Sequence, residues 1–164
     1  MTTIRPLNPV DDRADVANLM ARAADYIDLE TGLTPDEALV DEFFTDVGPG
    51  CDLSQSLKLG LFTGDRLDAI ADVCFGYPDP GDAYLGLMLL AADQRGRGLG
   101  RQFLAHIVHA AQARGAPRLL LAVLEANPRG RAFWEREGFR AVLTTPPAQM
   151  GIRTHVRIRM ERPL

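Results

Sequence analysis

The sequence predicts an α/β fold of the α+β type: one mixed central sheet flanked by helices, in the order β-α-α-β-β-β-α-β-α-β-β. Three observations predict it. Two nearly continuous apolar runs, 83–91 and 117–124, have the length and composition of strands buried on both faces. A third apolar stretch, 56–78, is interrupted by Gly64-Asp65, as a hairpin with a tight turn would be. Apolar residues recur at helical spacing over 9–30 and again over 98–114. Strands follow one another before they alternate with helices, so the pattern is not that of a doubly wound sheet. At 164 residues, 46% hydrophobic and 24% charged, the chain fits one domain over 1–164 with an ordinary core.

Each element has its own signal. "TIRPL" (3–7) is a short first strand. In 9–30 the residues Val16, Leu19, Met20, Ala23, Ala24 and Ile27 mark one helical face, and Asp11 or Asp12 can cap it. A second helix covers 34–47, with Thr34 as N-cap, Glu37 completing a capping box and Pro35 at the first helical position. Gly86 inside the run 83–91 signals a bend or a close backbone approach. Leu99, Phe103, Ile107 and Ala110 line the helix that begins at Gly98, and Gly115 stops it. Asn127 and Pro128 open a short helix that Gly138 closes. Late strands follow at 139–143 and 154–161, separated by a loop over 144–151. In the last strand Val156, Ile158 and Met160 alternate inward, and Arg157 and Arg159 outward.

Composition excludes some functions. The formal net charge is −4, which argues against a protein that coats nucleic acid. Cys51 and Cys74 form no CxxC pair and no zinc-spaced cluster, so no metal is expected and both thiols read as free. Free thiols suit a reducing, cytoplasmic location. The first residues lack the apolar core of a signal peptide, and no stretch has the length of a membrane span. His106 and His109, at i and i+3, lack a third ligand, and His155 reads as structural.

"DQRGRGLGRQF" (93–103) stands where a buried strand hands over to a helix. The first N–H groups of such a helix are unpaired, and with the helix dipole they form an anion site. Glycine lets a phosphate approach the backbone without meeting a Cβ. Arg95, Arg97 and Arg101 add positive charge. Gly100 falls within the helix proper, where glycine costs about 1 kcal/mol, so a ligand or tight packing is implied. No Gly-Lys-Ser/Thr ending follows, which removes a P-loop. The third glycine comes one residue early for a dinucleotide fingerprint, and the acidic residue about 20 positions on is missing.

These residues resemble the GNAT superfamily of acyl-CoA-dependent N-acetyltransferases. The family signature Arg/Gln-x-x-Gly-x-Gly/Ala is matched by Arg95-Gly-Arg-Gly98-Leu-Gly100. "LAVLEANPRGRAFWEREGF" (121–139) is similar to the family's strand, Asn and short helix ending in aromatic-x-x-x-Gly-Phe. Together the two motifs cover about 84–143. The resemblance implies a single GNAT-like domain with acetyl-CoA in a cleft between the strands at 83–91 and 117–124. The pyrophosphate would be held by backbone N–H groups of Arg95, Gly96, Arg97, Gly98, Leu99 and Gly100, beside Arg101. The pantetheine arm would pair with the backbone of Met88, Leu89 and Leu90, near Asn127 and Arg131. Helix capping and a place beside the CoA arm are compatible roles for Asn127.

The implied reaction is direct attack of an amine on the thioester, helped by a base and by strand N–H groups at the oxyanion. Two catalytic positions depart from the family. Trp134 stands where many members place a tyrosine general acid, and indole does not release its proton. It either shapes the pocket or packs beside Phe133 and Phe139. Tyr84 falls where some members carry a glutamate base, and a phenol of pKa roughly 10 is a poor base. Asp72, Asp79, Asp82 and Glu125 are the nearby carboxylates, and the base stays unassigned. Asp25, Asp28, Glu30 and Asp79 are candidates to hold a cationic acceptor. The expected partners are acetyl-CoA and an amine of a small molecule, peptide or protein, with no nucleic acid and no membrane. Homodimers are common in the family, and nothing in this chain fixes that state. Trp134 and Tyr84 also motivate a second reading, a non-catalytic acyl-CoA-binding or regulatory module on the same fold. A nucleotide-phosphate enzyme rests on the glycines alone.

Overall fold

In the computed structural model, which describes residues 1–164, the apolar runs become the central strands of one seven-stranded sheet. The strands are β1 (Thr2–Pro6), β2 (Leu57–Thr63), β3 (Arg66–Phe75), β4 (Ala83–Leu90), β5 (Arg118–Leu124), β6 (Arg140–Thr144), β7 (Ala148–Met150), β8 (Arg153–His155) and β9 (Arg157–Pro163). The helices are α1 (Arg13–Arg22), α2 (Ala24–Thr31), α3 (Glu37–Thr45), α4 (Leu99–Ala113) and α5 (Pro128–Arg136). The sheet order is β1-β2-β3-β4-β5-β9-β6, and β7 pairs with β8 as a separate small hairpin. Every neighbouring pair in the large sheet is antiparallel except β4 and β5. No helix is long and apolar enough to cross a membrane.

Two apolar cores lie on opposite faces. One joins Phe103, Leu104 and Ile107 of α4 to Leu85, Leu119, Leu121 and Met160 of the sheet. The other joins Val16, Leu19 and Met20 of α1 and Val40, Phe43 and Phe44 of α3 to Ile70 and Leu89. The strands at the centre serve both, which is why their sequences read as continuous apolar runs. Gly64 takes φ 59° in the two-residue turn between β2 and β3, as the hairpin signal requires.

Gly86 is the extra residue of a β-bulge. Asp72 pairs with Leu87 and Val73 with Leu85, which leaves Gly86 between them. The bulge reverses the alternation of β4: Leu85 belongs to the α4 core, whereas Leu87 packs against the α1–α3 core. A Cβ at Gly86 would stand 3.2 Å from Asp72 Oδ2, so the missing side chain admits that carboxylate.

Several sequence readings are corrected. The helix expected over 9–30 breaks at Ala23, whose φ of −116° and ψ of 22° separate α1 from α2. Val16, Leu19, Met20, Ala23 and Ile27 are all buried nonetheless, so the apolar spacing carries no trace of the break. The cap of α3 is Asp36, whose carboxylate accepts from Leu39 N at 2.9 Å, not Thr34. Aspartate caps at least as well as threonine, so the helix begins two residues later, and with Leu39 at the third position no capping box forms. Asp12 precedes α1 without a side-chain capping bond to it, because its carboxylate accepts from Arg5 at 2.8 and 2.9 Å. The loop expected over 144–151 contains β7, and the strand expected over 154–161 divides into β8 and β9. Arg157 and Arg159 do not point into solvent; both are half-buried.

Candidate functional site

β4 and β5 run together for three residues and then part. Their ladder consists of Ala83↔Leu119, Tyr84↔Leu120 and Leu85↔Leu121. Beyond it β5 stays paired with β9 as far as Leu124, and β4 stays with β3 as far as Leu90. A V-shaped split opens between them. Ala91 donates its N–H to Asp68 O at 3.0 Å, toward β3. Backbone groups alternate along a strand, so those of Leu89 and Leu87 point the same way. Those of Met88 and Leu90 therefore face the split. Leu90 O accepts from Arg95 Nη2 at 3.1 Å, which leaves Met88 N–H and C=O and Leu90 N–H.

The glycine turn closes one end of the split. Gly96 has φ 75° and Gly98 φ 82°, a region that L side chains rarely adopt, and nothing lies within 4 Å of either ideal Cβ. Gly98 is the N-cap of α4 and offers no side-chain acceptor. The first bond into the helix is Gln102 N to Gly98 O at 3.1 Å, so the N–H groups of Leu99, Gly100 and Arg101 have no helical partner. Open space over unpaired donors at the start of a fifteen-residue helix fits a phosphate group.

The side chains around this turn divide differently from the sequence expectation. Arg97 is exposed, and Arg101 lies exposed 3.8 Å from Glu137. Arg95 turns away, toward Asp25 at 2.6 Å, because that carboxylate on α2 and Leu90 O together occupy its guanidinium. An ideal Cβ on Gly100 would meet Phe133 at 3.4 and 3.5 Å, which is ordinary contact, so packing alone does not demand glycine there. Asn127 caps α5, accepting from Gly130 N at 3.0 Å. Arg131 is exposed and bonded to Glu135 at 2.7 Å.

The two departures from the family pattern fall on opposite faces. Trp134 packs edge-to-face between Phe133 and Phe139, with centroids at 4.9 and 5.4 Å, against the α4 core. Tyr84 lies on the α1–α3 face, edge-on to Tyr77 at 4.9 Å. Burial raises the Tyr84 hydroxyl above its ordinary range against the opposing pull of Arg159, so it stays protonated at neutral pH. Cys74, opposite Tyr84 on β3, has its thiol pushed up to about 12 by burial and is no nucleophile.

The carboxylates sort clearly. Asp79 and Asp82 are held by Arg118 at 3.0 and 2.9 Å, at the paired end of β4 and β5 and away from the split. Asp28 lies 3.4 Å from Arg153, and Glu125 is exposed. Asp72 stands beside the bulge, on the α1–α3 face, with Lys58 Nζ at 2.9 Å. Burial raises its carboxyl above the usual range, with Lys58 opposing. Glu30, beside Tyr26, is raised by burial too, against a lowering pull from Tyr26, His155 and Arg157.

The hairpin β7–β8 frames this face. His155 Nε2 donates to Leu29 O at 3.0 Å and Glu30 O at 2.9 Å, and Arg153 Nε donates to Asp28 O at 2.7 Å. Sequence reasoning missed Tyr26, Tyr77, Arg157 and Arg159 as members of the site. The one available signal was Ala122, a small residue in an apolar strand, which leaves room for a long side chain from β9 to cross.

Comparison with known proteins follows the same lines. The family model described as Acetyltransferase (GNAT) family matches residues 40–139. Among solved structures, an acetyltransferase from Thermus thermophilus is 28% identical with a TM-score of 0.83, covering 100% of this chain and 97% of that one. The ribosomal-protein-S18-alanine N-acetyltransferase from Escherichia coli is 22% identical with a TM-score of 0.74, covering 99% and 94%. The PaiA N-acetyltransferase from Thermoplasma acidophilum, solved in complex with coenzyme A, is 16% identical with a TM-score of 0.74, covering 100% and 99%. The last two likenesses are likenesses of fold. A sequence search of curated proteins finds no match.

Proposed function

The chain belongs to the GNAT family of acetyltransferases, and on that premise we propose that it transfers an acetyl group from acetyl-CoA to the primary amine of a small molecule, peptide or protein. The observation that carries the reading is the split between β4 and β5, with the open glycine turn at its end. Leu99, Gly100 and Arg101 would give their N–H groups to the pyrophosphate, with Arg97 and Arg101 supplying charge. Met88 N–H and C=O and Leu90 N–H would pair with the pantetheine arm, as an added strand does.

Acetyl-CoA supplies an acyl group on a good leaving group, a thiol of pKa roughly 8.5 if cysteine is the guide. The acceptor nitrogen bonds to the carbonyl carbon, the carbon–sulfur bond breaks, and its electron pair leaves on sulfur. The nitrogen gives up one proton and the sulfur gains one. Of the β4 donors that face the split, Met88 N–H lies nearer the closed end, where the thioester ends the arm, and it is the one to stabilise charge on the carbonyl oxygen. Asp72 is the base, directly or through a water. It is the carboxylate beside the bulge, and burial moves its affinity for a proton toward the neutral range. Tyr84 positions the acceptor and does not take its proton. Trp134 packs against the α4 core and takes no part in proton transfer, and water protonates the thiolate.

Thiol release from acetyl-CoA across a panel of amines tests the reading, together with thermal unfolding in acetyl-CoA. Ligand at 100 times its Kd adds about 2.7 kcal/mol to stability, so a clear rise in Tm is expected. Absence of both the rise and thiol release sinks the proposal. A rise without release on any amine would support the non-catalytic reading instead.

A further inference from the structure

We infer that the acceptor amine carries a carboxylate, and that Arg159 and Arg157 bind it. The inference rests on the acetyl-transfer reading for the site's purpose, but its own support is separate. On β9, Arg157, Arg159 and Glu161 alternate onto the sheet face covered by α1–α3. Glu161 is neutralised by Arg118 at 2.6 Å and Arg140 at 2.9 Å. Neither Arg157 nor Arg159 has a salt-bridge partner. The one hydrogen bond from either guanidinium runs from Arg159 Nη2 to Tyr77 Oη at 2.6 Å. Each arginine also has a buried Nε with no hydrogen-bond partner. Glu30 is the one carboxylate whose charge reaches Arg157, and it forms no ion pair with it. Half-buried cations without a direct ion pair are costly, and a ligand that completes them relieves that cost.

Their position identifies which ligand. Arg159 stands opposite Ala122 on β5, whose single methyl lets the guanidinium cross the strand. It ends 5.3 Å from the Tyr77 ring and 5.8 Å from the Tyr84 ring. Tyr84 is one residue before the last rung of the β4–β5 ladder, so the cation lies over the place where the split opens. Arg157, opposite Leu124, lies farther along the same face. Guanidinium groups present paired N–H donors that match the two oxygens of a carboxylate. The alternative, an acceptor held by its positive charge, loses three of its four candidate anchors: Asp25, Asp28 and Asp79 are taken by Arg95, Arg153 and Arg118, and the fourth, Glu30, already feels the positive charge of Arg157. Asp72 lies on the same face as the arginines, across the split. A carboxylate on Arg159 and Arg157 and an amine directed at Asp72 is the arrangement of a small amino acid.

Direct binding tests this apart from turnover. Protein saturated with CoA is titrated calorimetrically with the proteinogenic amino acids and with their α-carboxamides. At least one acid is expected to bind about 30-fold more tightly than its amide, from the loss of charge-assisted hydrogen bonds. R159Q and R157Q should each erase most of that ratio while leaving the affinity for CoA unchanged. No acid-over-amide preference in the wild-type protein overturns the inference, and so does a preference that survives both substitutions. Thiol release is read on the same panel. Turnover of amides in preference to acids would overturn the carboxylate assignment and leave acetyl transfer standing. Acid-selective binding without turnover would leave the carboxylate site standing and remove the catalytic reading.

Discussion

Gly98 precedes α4 at φ 82° with empty space where a Cβ would be, so an alanine there meets strain and no clash. Left-handed backbone costs a non-glycine residue about 1–2 kcal/mol. Gly115 provides the control: its φ is 75°, nothing lies within 4 Å of its Cβ, and it sits at the far end of the same helix. Gly98→Ala and Gly115→Ala should lower stability by similar amounts in urea unfolding. Only Gly98→Ala should raise the KM for acetyl-CoA. Equal effects on KM would mean that the turn does not hold the pyrophosphate. Asp72 allows a second residue-level prediction. Asp72→Asn should reduce kcat by about 100-fold or more, the usual contribution of a positioned base. A base works deprotonated, so wild-type activity should climb with pH through the raised Asp72 pKa. In Asp72→Asn that limb should vanish, and an unchanged pH–rate profile would return the role to another group such as Glu30.

On the proposed reading, the β7–β8 hairpin is the element that gives the split an acceptor side. It is tied to the C-terminal end of α2 by His155, by Arg153 and by Ile152 N donating to Thr31 O at 2.9 Å. His155 is 7% exposed, so His155→Ala leaves the carbonyls of Leu29 and Glu30 short of a donor, at a cost of about 1–3 kcal/mol. The expected kinetic signature is a higher KM for the acceptor with the KM for acetyl-CoA unchanged, since these hydrogen bonds tie the hairpin to α2 and not to the α4 turn. A rise in both would place the hairpin in general folding instead. This hairpin also marks the limit of what was legible in the sequence. The central strands, α4 and α5 were readable because long apolar runs and a glycine after the helix each have one physical explanation. Short strands of three residues carry no such pattern, and "TTPPAQMG" looks like loop because Pro146 and Pro147 dominate it. Arg157 and Arg159 were misread for a related reason. Alternation tells which residues share a face of β9, but not that Tyr77, Tyr84 and the α2 end cover that face.

Across the molecule, carboxylates of two kinds, buried and half-buried, set the dependence of stability on pH. Asp12, Asp68 and Glu161 form the first kind. Hydrogen bonds from Arg5 hold the Asp12 carboxyl below its ordinary value of 3.8, and those from Arg118 and Arg140 hold Glu161 below 4.5. For Asp68 burial pushes upward, but Arg22 and Arg66 win and its carboxyl also lies below 3.8. A depressed carboxyl stabilises the fold above its unfolded value, and that contribution disappears as pH falls through the folded value. Asp72 and Glu30 form the second kind, raised by burial above 3.8 and 4.5. Each destabilises the fold when ionised, and the penalty lifts as pH falls through its raised value. The two effects have opposite signs in adjoining windows. Thermal unfolding followed from neutral to acid pH should therefore show Tm rising first and then collapsing once the pH drops below the ordinary carboxylate range. Asp72→Asn should shrink the initial rise and leave the acid collapse in place, because the arginine-held carboxylates are untouched. A Tm that declines steadily from neutral pH in the wild-type protein would contradict the burial of Asp72 and Glu30 as charged groups, and with it the poised base that the mechanism requires.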